Sequence, residues 1–385
     1  MLADTVAAIA ALLSLTGMAQ CVAGWILTLR FARRPRHIPS DRLPVTILKP
    51  LHGDEPLLEA ALTTLCHLSY PAYQVVFGVQ SASDPAAGIV RRLQSHFPGR
   101  DLALVINPTR HGPNLKVGNL INMLPSARYD LLVIADSDLH VRPDYLDHIV
   151  AALEQPATGL ATTLYAGLPA SRRVAALLGA SQITHVFLPG ALLSRALGRQ
   201  DCLGATMALR RSTLSRIGGL EALVPHLADD NVLGRLVQDL GLAVRLAATV
   251  PMTTVPEDSL RALFRHELRW ARTIRALVPA QFAASCLQYP IVWALIALIL
   301  APSWGWIAVV LAWLVRVAAA AGVNRALSRL GVTPHTPVPI WLMPLRELMS
   351  VAVMIASYAG WRVDWRGHSM TAESQAAAPQ EGSRP

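Results

Sequence analysis

The chain has 385 residues, with 34 lysines and arginines against 25 aspartates and glutamates, a net charge of +9. Hydrophobic residues make up 53% of it and charged residues only 15%, well below the roughly 25% charged fraction of an ordinary soluble domain. This balance excludes a disordered chain, a collagen and a coiled coil, and it requires long apolar blocks.

The first block runs from Val6 to Leu29 without a charge and is followed by Arg30, Arg33, Arg34, Arg36 and Arg42. Its length exceeds the ~20 residues that cross a bilayer. A cleaved signal peptide carries its positive charge before the apolar core, whereas only Asp4 precedes this one. Residues 1–30 therefore read as a retained anchor, and the arginines keep the chain after it on the cytoplasmic side.

Residues 43–280 read as one water-soluble domain. Strands are expected at Val45–Leu48, Gln74–Val79, Leu102–Ile106 and Leu131–Ile134, alternating with helices at Leu57–Leu68, Ala86–Ser95 and Leu115–Met123. Such alternation predicts an α/β fold with a parallel sheet, and ligands at the carboxyl ends of its strands. Polar residues collect there. Asp84 follows the second strand, where Asp84-Pro85 also makes a good helix start. Asn114 and Lys116 open a helix, and Lys116 either meets a phosphate or stays solvated. Asp136 and Asp138 leave the fourth strand on the same side, so they either share a divalent cation of the Mg²⁺ or Mn²⁺ type, completed by substrate phosphates, or merely end the strand. Asp229-Asp230 stand before an amphipathic helix, where a carboxylate serves as a cap or is held as a base.

The helix expected over 259–277 contains His266-Glu267-Leu268-Arg269-Trp270. Leu263, Leu268 and Ile274 give it an apolar face, and arginines 261, 265, 269, 272 and 275 cover the rest, as in a helix lying on a membrane surface. Residues 282–361 form a second apolar block, with spans expected at Cys286–Ala301 and Trp304–Ala321 and a span or hairpin over 340–359. Arg316 is expensive in lipid and is expected to face protein, or to snorkel if the span is shifted. The polar tail 371–385 reads as disordered.

Several chemistries are excluded. There is no GxGxxG and no phosphate-cradling GxxxxGK[ST], and HEL is not HExxH. Cysteines 21, 66, 202 and 286 lack metal or disulfide spacing. The basic residues lie beside apolar segments without interleaved stacking aromatics, so the counter-charge is the phospholipid bilayer and not nucleic acid.

In order and spacing, TILKPLHGDEP, VQSASDPA, NLKVGNL, IADSDLHV, CLGATMALRR, ADDN and HELRW resemble the family 2/21 glycosyltransferases of GT-A fold, and most closely the ceramide glucosyltransferase branch with its hopanoid-associated bacterial members. The resemblance implies a GT-A domain with a Rossmann-like, mostly parallel sheet, joined to transmembrane helices in the inner (cytoplasmic) membrane. It also implies an inverting enzyme. Asp84 would contact the uridine end of a UDP-sugar, Asp136 and Asp138 the ribose and the diphosphate-bridging metal, Lys116 or Arg269 the diphosphate, and Trp270 the acceptor or sugar. Asp230 would be the general base. His266 stands where the family has Gln or Arg, and Cys202 either lines the donor pocket or is structural. The expected acceptor is a membrane lipid hydroxyl, foremost a hopanoid polyol such as bacteriohopanetetrol receiving N-acetylglucosamine or glucose, with ceramide as the alternative. A processive polysaccharide synthase or an inactive scaffold fits less well.

Overall fold

A computed structural model describes residues 2–35, 38–333 and 338–360, and the backbone of 362–365 and 368–371. Arg36 and residues 372–385 of the expected tail lie outside the described residues. The backbone of 362–365 pairs antiparallel with 368–371.

Four strands, β1 (Val45–Pro50), β2 (Tyr73–Val79), β3 (Asp101–Ile106) and β4 (Leu131–Ala135), form the parallel half of the sheet in the order β3-β2-β1-β4. The short β5 (Leu139–His140) comes directly after β4, then β6 (Thr158–Thr162), β7 (Ala166–Pro169), β8 (Thr206–Arg210), β9 (Ala243–Leu246) and β10 (Met252–Val255). β8 runs antiparallel to both β4 and β6, and β9 closes the seven-stranded sheet beside β6. β5, β10 and β7 make a separate three-stranded sheet.

The pleat sorts the side chains of β1 to opposite faces. Val45 and Ile47 enter one core with Val75, Phe77 and Val133, while Leu48 enters a second with Val76, Leu132 and Ile134. Strands buried on both faces explain why these segments are continuously apolar.

Four helices have the length and apolarity to cross a membrane: Leu2–Ala32, Val174–Ala196, Pro302–Arg329 and Ile340–Ser357. A fifth candidate is the pair Pro279–Gln288 and Pro290–Leu300, bent by 63°. The sequence pattern does not single out Val174–Ala196, which is 67% buried by protein and contains a π-helical stretch over Gln182–Phe187. The stretch expected to be a span or a hairpin is one short 3₁₀ turn leading into the helix Met343–Ser357, with Pro344 in its first turn. Arg316 does face protein: it pairs with Glu347 at 3.3 Å and meets the Cys21 sulfur at 3.4 Å.

The helix Leu260–Leu277 departs from the expected pattern. Its buried stripe is Leu263, Glu267, Ala271 and Arg275, and Ile274 is 46% exposed. Two polar residues belong to the buried face because the protein supplies their partners. Arg346 grips Glu267 with two hydrogen bonds of 2.6 and 2.7 Å. Arg275 donates to Gly360 O at 2.8 Å and lies over the Tyr358 ring.

Candidate active site

β4 ends in a loop that presents Asp136, Ser137 and Asp138 at the carboxyl edge of the sheet. The Asp138 carboxylate accepts from Thr253 Oγ1 at 2.5 Å, and its carbonyl accepts from Thr254 N at 3.1 Å, which fastens the loop to β10. Burial, then the negative charge of Asp136, pushes the Asp138 carboxyl up to about 6. A divalent ion held by both acids would remove that repulsion. Hard oxygen donors suit Mg²⁺ or Mn²⁺, and among the described residues no cluster of three or more His, Cys, Asp or Glu side chains is placed to hold a metal, so other positions fall to water and substrate oxygens. The donor set fits such an ion.

Lys116 does not point to solvent but is held in an ion-pair network. Its side chain is 18% exposed, and its ammonium lies 2.8 Å from Asp136 and 3.5 Å from Asp229. Burial opposes the charge, yet Asp136 and Asp229 hold the ammonium above the ordinary lysine pKa. Asn114 Oδ1 caps this helix by accepting from Val117 N at 3.1 Å. Lys116 thus ties the end of β4 to the helix Asp229–Asp239.

Neither aspartate of the 229–230 pair is the N-cap of that helix; the cap is Ala228 and both acids stand in the first turn. Asp230 Oδ1 accepts from Asn231 N at 2.7 Å. On its other side Gly204 comes so close that an added Cβ would sit 2.8 Å from Oδ2, so glycine makes the room this carboxylate occupies. Burial, followed by the charge of Asp229, raises the Asp230 carboxyl to about 6. That suits a base near neutral pH.

Asp84 caps the helix Pro85–His96, accepting from Ala86 N at 2.9 Å. It also accepts from Gly53 N at 3.0 Å, with His52 at 3.7 Å. The two roles expected of it, helix start and site residue, are therefore compatible. The same 51–57 loop reaches the acidic corner, where Ser137 Oγ donates to Glu55 at 2.5 Å. The loop closes on Leu57, whose φ of 61° lies in the left-handed region, a conformation that costs of order 1 kcal/mol or more in a non-glycine residue.

His266 pairs with Glu257 through Nδ1 and stands edge-on to Trp270, ring centroids 4.4 Å apart. Burial works against the Glu257 charge, but the hydrogen bond and charge of His266, with a contribution from Arg269, hold it below its usual value. Trp270 packs in one cluster with Tyr165 and Phe187. Cys202 is buried in the second core, against Gly234 of the helix that carries Asp230.

Sequence reasoning missed four residues of this region: Lys49, Glu55, Tyr165 and Thr253. Lys49 is fully buried at the end of β1, its Nζ has no hydrogen-bond partner among the described residues, and it lies in the field of Asp138, Asp136 and Glu55. Burial lowers its pKa to about 8. The available signal was a lone lysine closing the apolar strand VTILK.

The sequence model of glycosyl transferase family 21 matches residues 5–378. The chain belongs to this family. The family 21 chain is 32% identical to the ceramide glucosyltransferase of Komagataella phaffii over 127 residues, 32% of this chain and 25% of that one. It is 23% identical to ceramide glucosyltransferase 1 of Caenorhabditis elegans over 257 residues, 65% of this chain and 54% of that one. It thus spans a quarter to about half the length of these relatives. Among solved structures it resembles the mannosyltransferase of Pyrobaculum calidifontis in complex with GDP-Man and Mn²⁺, with a TM-score of 0.53, 19% identity, and 92% and 99% of the two chains covered. The fold is GT-A, as the resemblance of the motifs implied, on the α/β parallel sheet expected from the strand–helix alternation.

Proposed function

We propose that this protein transfers a hexose, glucose or N-acetylglucosamine, from a UDP-sugar to the hydroxyl of a membrane lipid with inversion at the anomeric carbon. The observation that carries this reading is the Asp136–Lys116–Asp229 bridge. It fixes the carboxylate-bearing strand end to the first turn that carries Asp230, so that a leaving-group site and a base belong to one rigid unit.

Asp230, ionised above about 6, takes the proton of the acceptor hydroxyl as that oxygen attacks the anomeric carbon; a positioned base contributes about 10²–10⁴-fold. Asp136 and Asp138 would hold a divalent ion, Mg²⁺ or Mn²⁺, which when bound would supply positive charge to the departing diphosphate. Lys116 adds a fixed positive charge beside Asp136, and Arg269 extends it from the HELRW helix. Asp84, anchored to Gly53, frames the uridine end. His266 orients Trp270, whose ring borders the sugar and acceptor side.

The acceptor reaches this site from the bilayer. Support comes from the four candidate membrane helices and from the Glu267–Arg346 pair, which pins the helix Leu260–Leu277 to one of them. Arg30 in the last turn of the first helix, with Arg33, Arg34 and Arg42 beyond it, favours the cytoplasmic membrane with the catalytic domain facing the cytoplasm. A hopanoid polyol such as bacteriohopanetetrol is the proposed acceptor. Ceramide is the second reading, favoured by the ceramide glucosyltransferase relatives.

The test is incubation of membranes bearing the protein with labelled UDP-glucose and UDP-N-acetylglucosamine and with either lipid. Transfer to one lipid, lost in Asp230→Asn, is expected. Labelled long polymer would instead identify a polysaccharide synthase, and absence of transfer to any acceptor would leave a scaffold.

A further inference from the structure

Four tyrosines of the catalytic domain pack in or against its cores, and three spend their hydroxyls on the protein. Tyr70 donates to Leu43 O, Tyr73 to Leu65 O, and Tyr145 shares a 2.8 Å hydrogen bond with Thr206 Oγ1. A tyrosine hydroxyl withdrawn from water normally finds such a partner. Tyr165 is different: it is half-buried, and no described residue hydrogen-bonds its hydroxyl.

Its ring is nonetheless held firmly. It stacks at a tilt on Phe187, centroids 4.8 Å apart, and packs in the same cluster as Trp270, Ile183 and Val255. Phe187 closes the π-helical stretch Gln182–Phe187, a distortion that often marks functional positions. The next residue, Ala166, begins β7 and pairs with Met252, immediately before the Thr253 that holds Asp138. Tyr165 is thus fixed by backbone register to the acidic corner and by its ring to the HELRW helix.

The phenol also lies within electrostatic reach of Asp230, Asp136, Asp138 and Lys116 together. Burial, reinforced by those carboxylates, raises its pKa, so it keeps its proton at neutral pH and remains a donor. During sugar transfer the anomeric carbon must be open to a nucleophile deprotonated by Asp230, while its leaving oxygen lies at Asp136 and Asp138. The sugar ring therefore occupies the interval between these groups, and Tyr165 is held beside it by the register of β7 on the strand that carries Thr253 and by its packing in the Trp270 cluster.

We propose that Tyr165 is a donor-specificity residue whose hydroxyl hydrogen-bonds a ring hydroxyl of the transferred sugar. This rests on the assignment of the site to a UDP-sugar. An aromatic side chain with one polar tip suits the task, since the rigid ring fixes the direction of the single hydrogen bond.

Tyr165→Phe removes one oxygen and keeps the ring on Phe187. The readout is the ratio of dissociation constants for UDP and UDP-glucose, measured by calorimetry on the intact protein in nanodiscs with Mn²⁺ and without a lipid acceptor, in wild type and variant. The wild type is expected to bind UDP-glucose more tightly than UDP. The variant should lose about 3–10-fold of that preference, the worth of one hydrogen bond, with UDP affinity unchanged. Selectivity for UDP-glucose over its 4-epimer, UDP-galactose, is the second readout and should fall by a similar factor. An unchanged ratio and unchanged selectivity would overturn the proposal, as would an equal loss of UDP and UDP-glucose affinity, which would mark a nucleotide contact or a packing role. If the wild type binds no UDP-sugar at all, the functional reading fails and the Tyr165 assignment fails with it. If it binds UDP-glucose but transfers nothing to lipid, only the acceptor reading fails and the ratio still decides the role of Tyr165.

Discussion

Replacing Arg346 with methionine removes the two hydrogen bonds, of 2.7 and 2.6 Å, that hold the Glu267 carboxylate. Arg346 is fully buried and Glu267 only 6% exposed, so the acid left behind reaches water only if the helices Leu260–Leu277 and Met343–Ser357 separate. Breaking a buried ion pair from one side costs about 3–5 kcal/mol, chiefly through the charge left unpaired. The bonds from Arg346 to Leu178 O and Ser350 are lost too, while methionine fills most of the volume of the arginine stem. At about 2.1 cal/mol/K of unfolding entropy per residue, a chain of 385 residues shifts by only about 1.2 °C per kcal/mol, so the melting temperature should fall by roughly 4–6 °C. Thermal unfolding in nanodiscs, followed by tryptophan fluorescence, measures this. Exchanging both partners, Glu267→Leu with Arg346→Met, should restore most of the loss, because an apolar pair of similar size replaces a buried ion pair at little cost. A double variant as unstable as the sum of the two single changes would refute the reasoning.

Asp230→Asn should lower kcat by about 10²–10⁴-fold while leaving UDP-sugar binding nearly intact; parallel loss of binding would contradict the base assignment. Because burial and Asp229 raise the Asp230 carboxyl to about 6, the ionised base is present above that pH, and kcat/KM should decline as the pH falls through it; a profile flat from about pH 5 to about pH 7 would exclude this carboxylate as the base. The raised value also means that holding the ionised form costs the fold stability above the unfolded carboxyl pKa, so Asp230→Asn should melt no lower than wild type near neutral pH. EDTA should abolish transfer and added Mn²⁺ or Mg²⁺ restore it, with restoration failing in Asp138→Ala. At Gly322 an added Cβ would collide with the Trp25 indole, so Gly322→Val should separate the first helix from Pro302–Arg329 and destabilise by about 1–3 kcal/mol, seen as a lower melting temperature and earlier protease cleavage just beyond Ala32.

The parallel half of the domain was legible because its strands are apolar throughout and its turns carry the expected helix starts. β1 to β4 and their helices fall within two residues of expectation. β6, β8 and β9 were not marked, since four- or five-residue strands containing Thr, Gly, Ala and Arg carry little hydrophobic signal. The acidic site residues were readable as types at strand ends and helix starts. Their joining was not: Lys116 sits 20 residues before Asp136 and 113 before Asp229, and only the tertiary fold brings the three together. Arg275 was placed with the arginines outside the apolar face because charge is normally an index of exposure, and Glu267 was given no face; their partners, Gly360, Tyr358 and Arg346, lie some 80 residues further on.

Arg346 and Glu347 stand side by side in a helix of 15 residues. They stand in the first two turns of this helix, where an arginine costs less than the about 2.5–3.5 kcal/mol it costs at the centre of an inserting segment, yet both charges weaken the case for its entering the bilayer unaided. Both of its counter-ions are synthesised earlier: Glu267 with the catalytic domain and Arg316 in the preceding long helix. The order of translation therefore places the receptors for these charges before the charges themselves emerge. This helix is received by a structure already made, and a chain whose catalytic domain failed to fold would leave it without a berth.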